Sequence, residues 1–448
     1  MPEEAKHRMS KQTDLPASVD AASESPDAVP EPDRGFAISP TTRSWLVVLT
    51  VLIVGVWMVV AVHLLGGYRR NVAPGPSTRG RTALTPVEKS YQEGDWGRIE
   101  LIPIVLSPPL ELVPEVEPTE STRVEWHFPK TDTLQLSEKL SEIGIAKSLA
   151  EELVSMAEFN SEIDGLTIRP RRKTVLGLDR DVRSALYVAL AGFPLNRDQR
   201  NAFREQCESP AAWFAGSTVS PETRRLVEPL MYRHGDYLFF ADLRSIEPQL
   251  PSADERLRLI QTLRRNATFL VKLHVPENAD VEGLTDYWGR GGRENEVRPI
   301  IESLSKIPGG QSIDISRLLP PFAQSRLYTY PTQFEVDVAV NQNCHWTTMN
   351  FFNELPEDRF CNTAEVLREV QGKYYRVHNK FRFGDVLFLL QRDTIGVHSA
   401  VYIAGDLFFT KNGSLASDPW VLSTLEAVKG FYPRHETLEA RYYRRKDL

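Results

Sequence analysis

Three residues near the C-terminal end of the chain have the types and the order of a nucleophile, a base and an orienting group. Cys344 precedes an apolar stretch with a helix-compatible pattern, His398 opens the apolar run Ala400 to Ile403, and Asn412 closes the next predicted strand. A thiol becomes a better nucleophile beside an imidazole, and the imidazole needs a partner that fixes its tautomer. The order of these residues therefore predicts a thiol nucleophile.

The helix predicted at Cys344 begins after Asn341 or Asn343, and either asparagine can cap its N-terminus. A cysteine in the first helical turn faces the positive end of the helix dipole, which lowers the thiol pKa and favours the thiolate. The backbone N–H of Cys344 is then expected to help hold an oxyanion.

A hairpin is expected after His398, with its turn at Gly405-Asp406. Its second strand, Leu407 to Thr410, would bring Lys411 or Asn412 near the imidazole. Asn412 is the preferred orienting residue, because a lysine at this position would repel an imidazolium.

The other histidines and cysteines fit the same role less well. His345 follows Cys344 directly and so projects from a different side of the helix, and His378 lies in a loop-like stretch. Cys207 and Cys361 are expected to be passive thiols.

These segments resemble the NlpC-type bacterial cell-wall cysteine peptidases, which are compact relatives of the papain fold. The resemblance depends on the cysteine at a helix start, the Gly384-Asp385 entry to an apolar strand, and the sequence His-Ser-Ala-Val-Tyr-Ile from His398, followed by a turn and a polar strand end. It covers about Thr329 to Tyr432.

The resemblance implies that Cys344 is the nucleophile, His398 the base and Asn412 the third residue. It also implies cleavage of amide bonds in peptidoglycan stem peptides. The sequence departs from the family where Asn343 replaces a frequent Asp, where His345-Trp346 replaces a small pair, and where Asn412 replaces a frequent His.

Charge and cysteine content exclude several other classes. A net charge of −7 gives no electrostatic footprint for nucleic acid. Three cysteines are too few for a disulfide framework in 448 residues, and no group of residues has metal-ligand spacing. We expect no cofactor and no metal.

The N-terminal sequence predicts a membrane anchor. Residues 1–44 are rich in Pro, Ser, Asp and Glu, which is typical of disorder. Trp45 to Leu65 is an unbroken apolar run of about the twenty residues that a helix needs to cross a bilayer. The expected localisation is a bacterial inner membrane with a periplasmic C-terminal part. The arginine bias, with more arginines after the apolar run than before it, favours the opposite side.

The middle of the chain predicts helices at Arg180 to Ala191, Arg197 to Glu208 and Ser220 to Tyr232, with Asp179 as one N-cap. From Thr268 to Val275 the hydrophobic period changes to two, which predicts a strand.

The predicted fold class is α+β, with a mostly helical middle domain and a papain-like C-terminal domain in which an antiparallel sheet packs on the cysteine-bearing helix. The predicted parts are a disordered tail at 1–44, a transmembrane helix at 45–65, a proline-rich tether at 66–130, a helical domain at 131–243, an α/β connecting region at 244–327 and the cysteine hydrolase domain at 328–448.

The leading functional hypothesis is a membrane-anchored thiol hydrolase that cleaves an amide bond, with a lipid bilayer and a peptidoglycan or peptide substrate as partners. Two alternatives stay open. One is a catalytically silent, membrane-tethered scaffold or binding protein of the same fold, and the other is an acyl transferase.

Overall fold

The computed structural model describes residues 90–113, 124–332, 342–391, 395–432 and 438–448. Within these ranges the chain is α+β, in agreement with the coarse class expected from the sequence. The strands are antiparallel and form one four-stranded, one six-stranded and two three-stranded sheets.

The described strands are β1 Ser90–Gly94, β2 Gly97–Leu106, β3 Trp126–Pro129, β4 Ala157–Asn160, β5 Gly165–Ile168, β6 Phe203–Glu205, β7 Tyr232–His234, β8 Tyr237–Phe240, β9 Asn266–Val275, β10 Gln311–Asp314, β11 Tyr374–Val377, β12 Val386–Gln391, β13 Ile395–Ala404, β14 Leu407–Lys411, β15 Trp420–Thr424 and β16 Leu438–Arg445.

The described α-helices are α1 Thr133–Glu142, α2 Lys147–Ser155, α3 Arg172–Gly177, α4 Arg180–Ala191, α5 Arg197–Arg200, α6 Pro210–Trp213, α7 Pro221–Val227, α8 Leu243–Ile246, α9 Ala253–Leu263, α10 Val281–Trp288, α11 Glu294–Ser305, α12 Pro321–Arg326, α13 Cys344–Met349, α14 Thr363–Lys373 and α15 Leu425–Gly430. Short 3-10 helices occupy Leu110–Leu112, Glu228–Leu230, Glu247–Gln249, Ile315–Leu318 and Asp358–Cys361.

The four-stranded sheet has the order β1-β2-β9-β10, so a hairpin from the N-terminal side pairs with a much later strand. Ile99 lies opposite Leu273, and Leu101 lies opposite Val271. These four side chains are buried in one core, because alternate residues of a strand face the same side. The hairpin lies within 66–130, where the sequence predicted a tether, so part of that range is folded.

The middle region, 124–263, contains helices and two small sheets of order β3-β5-β4 and β6-β8-β7. The sequence did not predict these sheets, although helices hold more of the residues of this region than strands do. Helix α4 has the predicted bounds and is capped by Asp179, whose carboxylate accepts the N–H groups of Asp181 and Val182. The helix predicted at 197–208 ends at Arg200 instead, because the chain continues into β6, which pairs with β8.

Helix α9 belongs to the middle region, since Leu259, Ile260 and Leu263 pack in the same core as Phe240. From β9 onwards, side chains pack instead with the C-terminal sheet. The predicted connecting region at 244–327 is therefore divided between two cores.

The six-stranded sheet has the order β11-β16-β12-β13-β14-β15. One face packs on α13 and shares a core with the four-stranded sheet, through residues such as Trp346, Val401 and Phe409. The other face is covered by α15, where Val428 packs on Tyr402. A cysteine-bearing helix on an antiparallel sheet agrees with this part of the expectation.

The membrane part of the predicted fold class must be corrected. Among the described residues, no helix combines the length and the apolar character needed to cross a bilayer. This finding contradicts the single-pass fold class and the membrane localisation, and both are withdrawn. The apolar run at 45–65 and the tail at 1–44, on which they depended, lie outside the described residues.

Candidate active site

Cys344 is the first residue of α13, and Asn343 caps this helix. The Asn343 side chain accepts the N–H groups of His345 at 2.9 Å and Trp346 at 3.2 Å. All six residues of α13 are buried, so packing fixes the position of Cys344, which is 8% exposed. Asn341, the other candidate cap, lies outside the described residues.

The Cys344 thiol lies where β13 and β14 separate. The paired register of these strands ends at Val401 and Phe409, which leaves the N–H of Ser399 available to the sulfur. Burial raises the pKa of the Cys344 thiol to about 11, while the N–H groups of Ser399, His345 and Cys344 itself oppose this shift. The predicted helix-terminus effect is therefore present, but burial outweighs it.

Lys411 is a charged group that influences the thiol. Its ammonium donates to the carbonyl oxygens of Leu415 at 2.8 Å and Gly413 at 3.3 Å, and it lies 5.8 Å from the Trp420 ring centroid. Burial lowers the pKa of Lys411 to about 8, while Asp418 and Cys344 raise it. The lysine is thus electrostatically coupled to the thiol.

His398 is fully buried and both of its ring nitrogens have hydroxyl partners. Its Nε2 lies 2.9 Å from Oγ1 of Thr410, and its Nδ1 lies 2.8 Å from the hydroxyl of Tyr432. Burial, and to a lesser extent the nearby His345, lowers the pKa of His398 to about 3. The imidazole is therefore neutral at physiological pH.

The structure does not join Cys344 and His398 by a hydrogen bond. Ser399, the next residue on β13, contacts the side chains of His345 and Thr348 on α13. His398 contacts Thr410 and Tyr432 instead. In this arrangement the imidazole does not take the thiol proton, because both of its ring nitrogens are occupied.

Asn412, the predicted orienting residue, does not contact the imidazole. Its amide nitrogen lies 3.5 Å from Oγ of Ser423. Its Oδ1 is buried and has no hydrogen-bond partner in the described part of the chain. Thr410 takes the predicted role instead, since its hydroxyl contacts both the His398 ring and, at 3.2 Å, the carbonyl oxygen of Ser399.

Besides Thr410, two groups near the site were missed from the sequence. One is Tyr432, whose hydroxyl contacts His398 and also, at 3.0 Å, the carbonyl oxygen of Val397. The other is a buried network in which Nδ1 of His345 lies 2.9 Å from Oγ of Ser399. Alternation along β14 was a usable signal for Thr410, but no local pattern pointed to Tyr432.

The Gly384-Asp385 turn supports the central strand β12, which begins at the next residue. Gly384 has a φ of +87°, a conformation that glycine adopts without strain. The buried carboxylate of Asp385 accepts two hydrogen bonds of 2.7 Å from Arg444 and one of 2.8 Å from the N–H of Arg382. Both residues have structural contacts that explain their presence.

The comparisons with known proteins assign no family. No protein-family model, no curated protein and no solved structure matches the chain. In the ranges that the structure covers, no group of His, Cys, Asp or Glu is arranged to hold a metal ion. The residues of the site are therefore what indicates a function.

Proposed function

We propose that the protein is a thiol hydrolase that cleaves an amide bond with Cys344 as nucleophile. The observation that carries this proposal is a buried thiol at the first residue of an α-helix, where the backbone N–H groups of His345 and Ser399 favour the thiolate. Such donors stabilise a thiolate, and they suit the oxyanion that forms when sulfur adds to an amide carbonyl.

His398 and Thr410 supply the base and the residue that orients it. A neutral imidazole has one N–H and one lone pair. When Thr410 donates to the Ser399 carbonyl, it can accept the Nε2–H, which leaves the lone pair on Nδ1. An Nδ1 lone pair is what a base needs in order to take a thiol proton.

The substrate class is an amide between amino-acid residues. The resemblance to NlpC-type peptidases makes peptidoglycan stem peptides the first substrates to test. An acyl transferase would use the same thiol and differ only in the group that accepts the acyl moiety.

The experiment compares the full chain with Cys344→Ala on soluble peptidoglycan fragments and on a peptide library, with new amino termini detected by mass spectrometry. Cys361→Ala is the matched control, because that thiol is half-buried and outside the site. We expect cleavage by the wild type and by Cys361→Ala but not by Cys344→Ala. Equal cleavage by Cys344→Ala, with an unchanged circular dichroism spectrum, would refute the assignment.

A second candidate is a scaffold of this fold that does not turn over. Three features favour this candidate: both ring nitrogens of His398 are occupied, the pKa of His398 is lowered, and the pKa of Cys344 is raised. A scaffold predicts no cleavage by any variant and no change on replacing Cys344.

A further inference from the structure

The Tyr432 hydroxyl occupies Nδ1 of His398, the ring nitrogen that Thr410 does not hold. Its oxygen lies 2.8 Å from Nδ1, whereas Nε2 is already held by Thr410. Tyr432 also interacts electrostatically with Cys344, so the thiol lies in its neighbourhood. The tyrosine is therefore a group that is coupled to both proposed catalytic residues.

The number of protons on the His398 ring determines what the contact between Tyr432 and Nδ1 can do. Because the ring is neutral, one hydroxyl donates to it and the other accepts from it. If Tyr432 donates, its O–H uses the Nδ1 lone pair; if Tyr432 accepts and donates to Val397, Nδ1 carries the proton. In both arrangements Nδ1 is unable to accept a proton from a thiol.

The middle region contacts the segment that carries Tyr432. The guanidinium of Arg204, on β6, lies 4.1 Å from the ring centroid of Phe431, the residue before Tyr432. The Tyr237 hydroxyl, on β8, donates to the carbonyl oxygen of Ala427 at 3.4 Å. The Tyr237 ring also packs so closely on Gly430 that a Cβ there would lie 2.0 Å from its hydroxyl.

We propose that Tyr432 is a positioning residue that blocks Nδ1 of His398, and that the middle region holds it there by packing on the end of α15. This inference rests on the proposed function. When Tyr432 moves away, the S–H bond of Cys344 breaks and the proton is taken by Nδ1, which gives a thiolate and an imidazolium. A substrate or partner that loosens the contact between the middle region and α15 would thus activate the thiol.

The first experiment measures the rate at which iodoacetamide alkylates Cys344 in the full chain, by peptide mapping from pH 5 to 10. Tyr432→Phe is the test variant, and Tyr375→Phe, at an exposed tyrosine, is the control. Lys411, His345 and Asp418 remain in every variant, since they also influence the charges of the site.

We expect Tyr432→Phe to raise the alkylation rate at pH 7 by about tenfold or more, which is the effect of one unit in thiol pKa on the thiolate fraction. The midpoint of the pH profile should move to lower pH. This increase in alkylation rate should disappear in the double variant Tyr432→Phe, Thr410→Val. It should persist in the double variant Tyr432→Phe, Thr410→Ser. An unchanged alkylation rate overturns the inference. An increase by the same factor at every pH also overturns it, because such an increase indicates only that the thiol has become more exposed.

The second experiment loosens the contact from each side. Arg204→Met removes the charge over Phe431, and Gly430→Ala displaces Tyr237. Their controls are Arg200→Met at an exposed arginine and Gly372→Ala, where a Cβ meets nothing within 4 Å. We expect the two test variants to alkylate faster at Cys344, with the same change in pH profile as Tyr432→Phe.

The outcomes separate the two proposals. If only Tyr432→Phe responds, the role of the middle region is refuted. Alkylation does not require a substrate, so an activated Cys344 that cleaves no amide would refute the proposed function and leave the inference standing.

Discussion

Thr410 holds His398 from the neighbouring strand, with its Oγ1 at 2.9 Å from Nε2 of the imidazole. The same hydroxyl lies 3.2 Å from the carbonyl oxygen of Ser399, to which it can donate. A group that accepts from the ring while it donates to the backbone selects one tautomer of a neutral histidine.

Replacing this hydroxyl should impair the proposed reaction selectively. Thr410→Val leaves a buried ring nitrogen without a partner, which costs about 1–3 kcal/mol. We expect kcat/KM for amide cleavage to fall about tenfold to a hundredfold, while Thr410→Ser retains most of it. Asn412→Ala serves as the comparison, since its amide does not touch His398. A larger loss in Asn412→Ala than in Thr410→Val would restore Asn412 as the orienting residue.

The buried imidazole should make the protein sensitive to acid. The pKa of His398 is lowered by burial from its ordinary value of 6.5 to about 3, so the unfolded chain takes up the proton first as the pH falls. Its contribution to the free energy of unfolding is intact above pH 6.5 and falls by about 1.4 kcal/mol per pH unit below that, until about pH 3. Urea unfolding at several pH values between 4 and 7 measures this dependence. His398→Gln should have a shallower dependence, and an identical slope would exclude His398 as its source.

A buried ion pair holds the middle region together. Arg183 on α4 contacts the carboxylate of Asp242, and neither side chain is more than 1% exposed. The Tyr187 hydroxyl donates to the same carboxylate at 2.5 Å, and Arg183 also donates to the carbonyl oxygen of Val175 at 2.9 Å.

Removing one partner of this pair should cost more than removing both. Asp242→Leu leaves the Arg183 charge in the core without its partner, and we expect a loss of about 3–5 kcal/mol in the free energy of unfolding. The double variant Arg183→Met, Asp242→Leu should lose less, as a double-mutant cycle in guanidinium chloride would reveal. Additive losses would show that the pair contributes no coupling.

The turn before β12 should tolerate only glycine. Gly384 has a φ of +87°, and a Cβ there would lie 2.4 Å from Cζ of Phe352. We expect Gly384→Ala to lower the free energy of unfolding by about 1–3 kcal/mol. Gly372→Ala, in the open part of α14, should be neutral or stabilising by up to about 1 kcal/mol. Thermal unfolding of the two variants, followed side by side, tests this contrast.

Local signals predicted much of the secondary structure. The period-two pattern at 268–275 lies within β9, and Asp179 begins α4 as expected, because capping and side-chain alternation depend on nearby residues. The short strand β6 was missed, since its three residues are defined by pairing with β8 and carry no periodicity of their own.

The site was predicted less completely than the elements that form it. The sequence identified the first residue of α13 and the strand that carries His398, but not how the thiol and the imidazole are oriented to each other. That orientation depends on where the β13–β14 register ends, at Val401 and Phe409, and on Tyr432, which a different helix brings to the ring. Both are tertiary features with no local sequence signature.

The hairpin β1–β2 gives the fold a discontinuous domain. Strand β9 lies between β2 and β10, so residues on both sides of the middle region complete one sheet. The middle region is therefore an insertion in this domain. During translation it leaves the ribosome after the hairpin β1–β2 and before β9. A truncated chain that starts after the hairpin would expose the edge of β9 that β2 covers from Asn266 to His274, although β10 would still pair on the other side. Such an exposed edge is a template for self-association.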